Sequence, residues 1–286
     1  MKASILTLLF ALAGGALSPT VADTLKINGS TTVNLVVAEA AEILRAENRL
    51  DIQVDTQGGS AGGISMLGDG LVQLGMISKH ISADDRVKYP KVNFVENTIG
   101  VDAVAIIVSK DVWENGIRSL SKQQLKDIYE SKVTNWKDVG GTKSQRIVFF
   151  NKEPGRGTWE VFVHWVYGSP KSAPQVSFPE VGGNEETRNK VASTRGAMSQ
   201  LSSSWADGQK VFAVALTTDD GKKVEPTNEN IANKSYPLSR PLTVLSNGPV
   251  TGSAKTMLDF LLTERGQALL PKHGYLNLKA VGSIPE

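Results

Sequence analysis

The 286-residue chain contains no cysteine, which excludes disulfides, thiolate metal sites, a cysteine nucleophile and a lipid-modified cysteine anchor. Histidine is nearly as scarce. His80, His164 and His273 are the three present, far apart and without ligand-spaced neighbours, so neither a metal centre nor a cofactor is expected. No stretch reads Gly, four residues, then Gly-Lys-Ser/Thr, which removes the phosphate-loop route to nucleotide hydrolysis. An excess of one charge is missing too. With 31 basic and 29 acidic side chains, a formal +2, the overall field favours neither nucleic acid nor a polyacidic partner, and any anion recognition must be local. The one long apolar run, Ile5 to Leu17, follows Lys2 and precedes the small residues Ser18 to Ala22. It falls short of the ~20 residues a spanning helix needs and contains Gly14 and Gly15. Residues 1–22 therefore read as a cleaved signal peptide, and the mature chain as an exported periplasmic protein without a lipid anchor.

What the chain does have is a repeated unit of strand, glycine-serine loop and helix. A β-rich run, Leu25 to Ile27, ends at Asn28-Gly29-Ser30-Thr31-Thr32. A helix to about Glu47 then carries Val33, Val36, Val37, Ala40, Ala41 and Leu44 at helical spacing. Asp51 to Thr56 alternates as a strand, Gly58 to Gly63 forms a loop, and Ile64, Leu67 and Leu71 line a short helix. Val72 to Ile77 ends at Ser78-Lys79-His80, and Ser82-Ala83-Asp84-Asp85 begins another helix. Arg146 to Phe150 leads into Asn151-Lys152-Glu153-Pro154-Gly155-Arg156-Gly157-Thr158 and a helix with Trp159, Phe162, Val163 and Val166. The pattern is α/β. In open sheets of this kind, loops at the carboxyl ends of the strands converge.

Each such loop opens a helix, whose first N–H groups lack intrahelical acceptors and carry partial positive charge. Hydroxyls and glycine N–H groups there donate to oxyanion oxygens, and lysine or arginine adds charge-assisted bonds. The candidate anion site is therefore Ser30, Thr31, Ser60, Ser78, Gly157 and Thr158 with the cations Lys79, Lys152 and Arg156. Asp102 interrupts the apolar run Val101 to Ser109, and a buried carboxylate there either pairs with a base or serves a ligand.

All five tryptophans (Trp113, Trp136, Trp159, Trp165, Trp205) lie in the middle of the chain, as a second lobe would place them, and core packing accounts for them better than base stacking. Tyr236 to Leu245 reads as a last extended crossing and Thr256 to Leu270 as one closing amphipathic helix. The enzymatic alternative is Gly58-Gly59-Ser60-Ala61-Gly62, which matches the G-x-S-x-G nucleophile elbow, with Ser60 attacking and His273 as base. It leaves the other hydroxyl-bearing loops without a purpose.

These stretches resemble the substrate-binding proteins of phosphate ABC transporters, in the shorter bacterial type. The resemblance rests on Ile27 to Val33, Gly58 to Gly63, Ile99 to Ala105, Leu125 to Tyr129, Thr134-Asn135-Trp136-Lys137-Asp138-Val139-Gly140-Gly141, Gly155 to Thr158, Arg195 to Met198 and Tyr236 to Leu242. It implies a two-lobed type II periplasmic-binding fold, with a mixed, mostly parallel sheet in each lobe and two crossing strands as hinge. Lobe I would hold residues 23–105 and 240–286, and lobe II residues 106–239. It further implies no catalysis, inorganic phosphate as ligand, a membrane permease as partner, and a monomer. Ser30 and Thr31 would hold phosphate by hydroxyl and amide, Ser60 and Ser78 from the second and third loops, and Gly157 and Thr158 from the other lobe. The family commonly reads Arg-x-x-Gly-Ser-Gly-Thr where this chain has Lys152 and Arg156. Longer relatives place a proton-accepting aspartate where Ser78 stands here. The choice between phosphate and another oxyanion such as sulfate then falls to Asp102 or another acid.

Overall fold

The computed structural model describes residues 24–282, so the signal-peptide reading of residues 1–22 lies outside it. Among these residues no helix is long and apolar enough to cross a membrane.

Three βα units open the fold: β1 (Leu25–Gly29) with α1 (Thr31–Asn48), β2 (Ile52–Asp55) with α2 (Gly59–Gly68), and β3 (Leu74–Ile77) with α3 (Ala83–Lys88). Their strands pair in parallel in the order β2-β1-β3. β4 (Phe94–Ser109) then carries the chain away to α4 (Lys110–Glu114), β5 (Ser119–Ser121), α5 (Lys122–Tyr129), β6 (Val148–Lys152), α6 (Gly157–Tyr167), β7 (Glu180–Val181), α7 (Asn184–Ser193), β8 (Ala197–Ser202), β9 (Val211–Thr217), β10 (Lys223–Val224) and α8 (Asn228–Ala232). β11 (Ser239–Asn247) brings it back to α9 (Gly252–Leu262), α10 (Glu264–Lys272) and β12 (Leu276–Asn277).

β4 belongs to both halves. Residues 94–103 pair antiparallel with β11, which also pairs antiparallel with β3. Residues 104–109 pair antiparallel with β8 and β9 instead, while β6 lies parallel to β8 and β7. The fold is thus α/β with mixed sheets, parallel within the βα units and antiparallel where β4 and β11 cross. Each half has its own core. α1 buries the expected Val33, Val36, Val37, Ala40, Ala41 and Leu44 in a cluster with Ile27, Leu74 and Met76. Trp136, Phe149, Phe162 and Val163 anchor the other.

Three local readings shift. β4 begins at Phe94 rather than Val101, because its first residues are mostly half-buried and break the apolar run. β6 continues to Lys152, placing that cation inside a strand. The single closing helix is two helices, α9 and α10. Thr263 between them is extended (ψ 163°), and its Oγ1 accepts the Gly266 N–H at 3.1 Å, so a cap starts a new helix where apolar spacing alone reads as continuous.

The Asn135 to Gly141 stretch explains itself structurally. The Asn135 side chain accepts the Lys137 N–H at 3.0 Å, a short turn of 3-10 helix spans Trp136–Val139, and Gly140 takes φ 106° to end it. Trp136 is fully buried and its indole N–H donates to Gly196 O at 3.0 Å. Trp136→Ala is expected to lower the unfolding free energy by about 3–5 kcal/mol, measured by urea denaturation.

Candidate anion-binding site

Loops from both halves meet at one small cavity. Around it the structure brings together Ser30, Thr31, Ser60, Ser78, Lys152, Arg156, Gly157 and Thr158, all expected there, with Thr32, Gly59, Gly182 and Asn184 beside them. Ser30 follows β1 and caps α1, its Oγ accepting from Thr32 N–H (3.2 Å) and Val33 N–H (3.4 Å). Ser60 sits in the first turn of α2, reached through Gly58 and Gly59 at positive φ (71° and 58°). Ser78 follows β3. From the other half come the start of α6, with Gly157 and Thr158, and the start of α7, with Asn184.

The hydrogen bonds give these hydroxyls a common polarity. Ser78 Oγ accepts from Ser30 Oγ (3.0 Å) and from Arg240 Nη1 (3.2 Å). Thr32 Oγ1 accepts from Asn184 Nδ2 (3.0 Å) and Arg240 Nη2 (3.3 Å). Thr158 Oγ1 accepts from Arg240 Nη1 at 2.9 Å, and Ser60 Oγ from the Ser78 N–H at 3.2 Å. A hydroxyl has two lone pairs and one proton. With the lone pairs of Ser78 and Thr32 already occupied by protein donors, their protons are what remains for a ligand. Together with the helix-start N–H groups of Ser60, Gly157 and Thr158, the wall presents donors, the complement of an oxyanion.

Arg240, on β11, was not among the expected site residues, nor was Asn184. Asp102 explains the arginine. Its Oδ2 accepts from Arg240 Nε (3.0 Å) and Nη2 (2.7 Å), and its Oδ1 from Ser202 Oγ (2.9 Å). Both side chains of the pair are 1% exposed. Asp102 therefore does not line the cavity; it holds Arg240, which reaches the hydroxyls. The sequence signal existed, since a buried acid in one apolar strand needs a base in another. Asn184 had no such signal, because it stands in a loop-to-helix turn distant in sequence from the residue it meets.

Lys79 is the other departure. Its ammonium pairs with Glu160 (2.6 Å) and Asp85 (3.1 Å), away from the cavity. Lys152 does line the cavity, but its Nζ donates to Thr187 Oγ1 (2.6 Å), Gly182 O (2.8 Å) and Gly183 O (3.1 Å). Burial, and then the charges of Arg156 and Arg240, push its amine down to about 7. Arg156 is paired with Glu153 through Nε (2.9 Å) and Nη2 (2.7 Å). Its side chain lies where a Cβ on Gly59 would fall, 2.6 Å from Cδ, so Gly59 is needed for the approach.

The nucleophile-elbow reading of Ser60 lacks its base. His273 Nε2 lies 2.9 Å from Glu39, and no histidine lines the cavity among the described residues.

Gly157 marks how closely the two walls meet. A Cβ there would lie 2.6 Å from Ser78 Oγ and 2.7 Å from Ser60 Oγ. Gly157→Ala is expected to force the walls apart and cost anion binding about 1–3 kcal/mol, roughly 5–150-fold in Kd by calorimetry, with little change in ligand-free melting. Lys152 sets a pH dependence. Its amine is charged below about 7 and neutral above, and a bound anion favours the charged form, so binding above that pH takes up a proton. Between about pH 8 and 9, where inorganic phosphate keeps its charge, affinity should fall by up to tenfold. Lys152→Met should abolish that slope.

Comparison with known proteins agrees with this geometry. A family model described as a PBP superfamily domain matches residues 14–265. The phosphate-binding protein PstS of Bacillus subtilis is 32% identical over 258 residues, covering 88% of this chain and 80% of its own. A solved structure of a phosphate ABC transporter substrate-binding protein from Clostridium perfringens, described as putative and with bound phosphate, superposes with a TM-score of 0.78 at 32% identity, covering 89% of this chain and 99% of that one. An ABC-type phosphate transport receptor from Vibrio cholerae gives 0.69 at 27%, over 88% and 99%. The chain belongs to the PBP superfamily, in the family of phosphate ABC transporter substrate-binding proteins.

Proposed function

We propose that the chain is an exported, monomeric solute-binding protein that captures inorganic phosphate in the cavity between its two lobes and delivers it to the membrane permease of an ABC transporter. The observation that carries this reading is the set of hydroxyls that accept from protein donors around one small cavity, Ser78, Thr32 and Ser60 from one half of the chain and Thr158 from the other, with both lone pairs of Ser78 and Thr32 filled. The site residues are Ser30, Thr31, Thr32, Ser60, Ser78, Gly157, Thr158 and Asn184, with Arg240, Lys152 and Arg156 as the cations around them. No chemistry is performed on the ligand. Lobe I comprises residues 23–105 and 240–286, and lobe II residues 106–239. The exchange of β4 partners between Ala103 and Val104 supports a hinge there. Capture is closure of the lobes about the two crossing strands. Export to the periplasm rests on the leader-like residues 1–22.

A second reading, an oxyanion such as sulfate in the same cavity, is favoured by one observation: among the described residues no carboxylate lines it, Asp102 being bonded to Arg240 and Ser202. A site without an acceptor does not reject an anion for lacking a proton.

Titration of the mature protein with inorganic phosphate and with sulfate, followed by tryptophan emission and melting, decides between them. Phosphate at about 100 times its Kd is expected to add about 2.7 kcal/mol of stability, and Ser60→Ala to weaken that effect. A response to sulfate alone would move the assignment to the second reading, and a response to neither anion would remove the basis of both.

A further inference from the structure

Lys79 immediately follows Ser78, and Glu160 stands two residues after Thr158, so the ion pair between them joins the two walls of the anion site without entering it. The ammonium lies 2.6 Å from Glu160 and 3.1 Å from Asp85. The Lys79 and Glu160 side chains are only 7% and 19% exposed. Asp85 is itself held in place, accepting from Ser82 N–H (3.0 Å) and Ser82 Oγ (2.7 Å) in the capping box that starts α3. Lys79, Ser82 and Asp85 all precede the crossing strands. Glu160 alone belongs to the far wall, on α6.

The two anchors of this lysine are therefore unequal. Asp85 accompanies Lys79 whether the walls are together or apart, whereas Glu160 meets it only when they are together. Burial raises the Glu160 carboxyl and Asp85 adds to that rise, with Lys79 opposing both, so the lysine is the partner that favours the charged carboxylate there. A buried pair lost on opening leaves no trapped charge, because opening returns Glu160 to water while Asp85 keeps Lys79 partnered. A second cross-wall pair, Lys171 with Asp84 at 2.6 Å, is 75% and 69% exposed and belongs to the class that contributes little.

We propose that Lys79 and Glu160 form a closure latch: two positioning residues that set the lifetime of the closed, anion-loaded state without contacting the anion. Asp85 holds the ammonium ready, and arrival of α6 completes the pair at the moment Thr158 and Gly157 reach Ser78 and Ser60. Breaking the pair is then part of every release event. Capture is not slowed by it, since the pair forms after the anion has met one wall. The inference rests on reading the cavity as a phosphate site.

Stopped-flow tryptophan fluorescence with inorganic phosphate tests it on the wild type, Glu160→Gln, Lys79→Met, the double variant, and Lys171→Ala as the exposed control. Glu160→Gln is close in size to the original and leaves Lys79 paired with Asp85, so the fold is kept. The expected result is a release rate about tenfold faster in each single variant, an association rate within about twofold of wild type, a double variant no worse than either single one, and an unchanged Lys171→Ala. A loss confined to Lys79→Met, with slower association and Glu160→Gln unaffected, would mean that the lysine acts on the anion itself and would overturn the latch. So would single variants whose release rates match a phosphate-binding wild type. A wild type that binds no phosphate sinks instead the functional reading on which the latch rests.

Discussion

The ion pair between Asp102 and Arg240 is the constraint on which the rest of the site depends. The two residues face each other in register on the antiparallel strands β4 and β11, the strands that connect the halves of the molecule. Both side chains are 1% exposed, and either charge alone at such a position costs several kcal/mol. Asp102 occupies one edge of the guanidinium through Nε and Nη2, and the N–H groups left over are directed to Ser78, Thr158 and Thr32. Those hydroxyls come from three different loops on both sides of the cavity. One arginine on the hinge thus orients groups that no single loop could align.

This arrangement explains how a nearly neutral protein holds an anion. Arg240 is matched by Asp102 and Arg156 by Glu153, and Lys152 is pushed by burial toward neutrality. What remains is directional: O–H groups that accept from protein donors and N–H groups at helix starts, held by the protein's own hydrogen bonds. Dipoles held this way in a low-dielectric cavity stabilise charge with no reorganisation. The closeness of Gly157 to Ser60 and Ser78 shows that the alignment belongs to the state in which both walls are together. The Ala61 N–H, which donates to Gly155 O at 3.0 Å across the same gap, reinforces it.

Most of the fold was legible because periodicity is local. α1 shows the helical spacing read from its valines and alanines, and the glycine-serine loops stand where strands give way to helices. The hydroxyls were legible for the same reason, since a loop that opens a helix at the end of a strand puts its first polar residues in one place. Direction within a loop was not. Ser78 and Lys79 are consecutive, yet one lines the cavity and the other points to Glu160 and Asp85. Adjacency in sequence misleads where chain neighbours face opposite ways. Arg240 and Asn184 were missed because their roles arise from tertiary meetings across 138 residues to Asp102 and 152 to Thr32. The break between α9 and α10 was missed because the apolar spacing continues across a residue whose hydroxyl starts a second helix.

Lys152 shows why a cation in a family position need not act as a charge on the ligand. Its three N–H bonds within 3.1 Å run to Gly182 O, Gly183 O and Thr187 Oγ1, which are the turn and first residues around the start of α7. That turn delivers Asn184 to Thr32. An ammonium satisfies three separate oxygens at one point, whereas a planar guanidinium spreads its donors along a fork that suits a carboxylate or a phosphate. The lysine therefore acts first on the protein, tying β6 to α7 and so bringing an amide from the second half against a hydroxyl of the first. Its charge is also conditional. A neutral amine has two protons for three acceptors, so deprotonation loosens the turn as well as removing a positive charge beside the cavity. Burial that lowers the amine to about 7 couples the geometry of this wall to the presence of an anion, because a ligand that restores the ammonium restores its third bond.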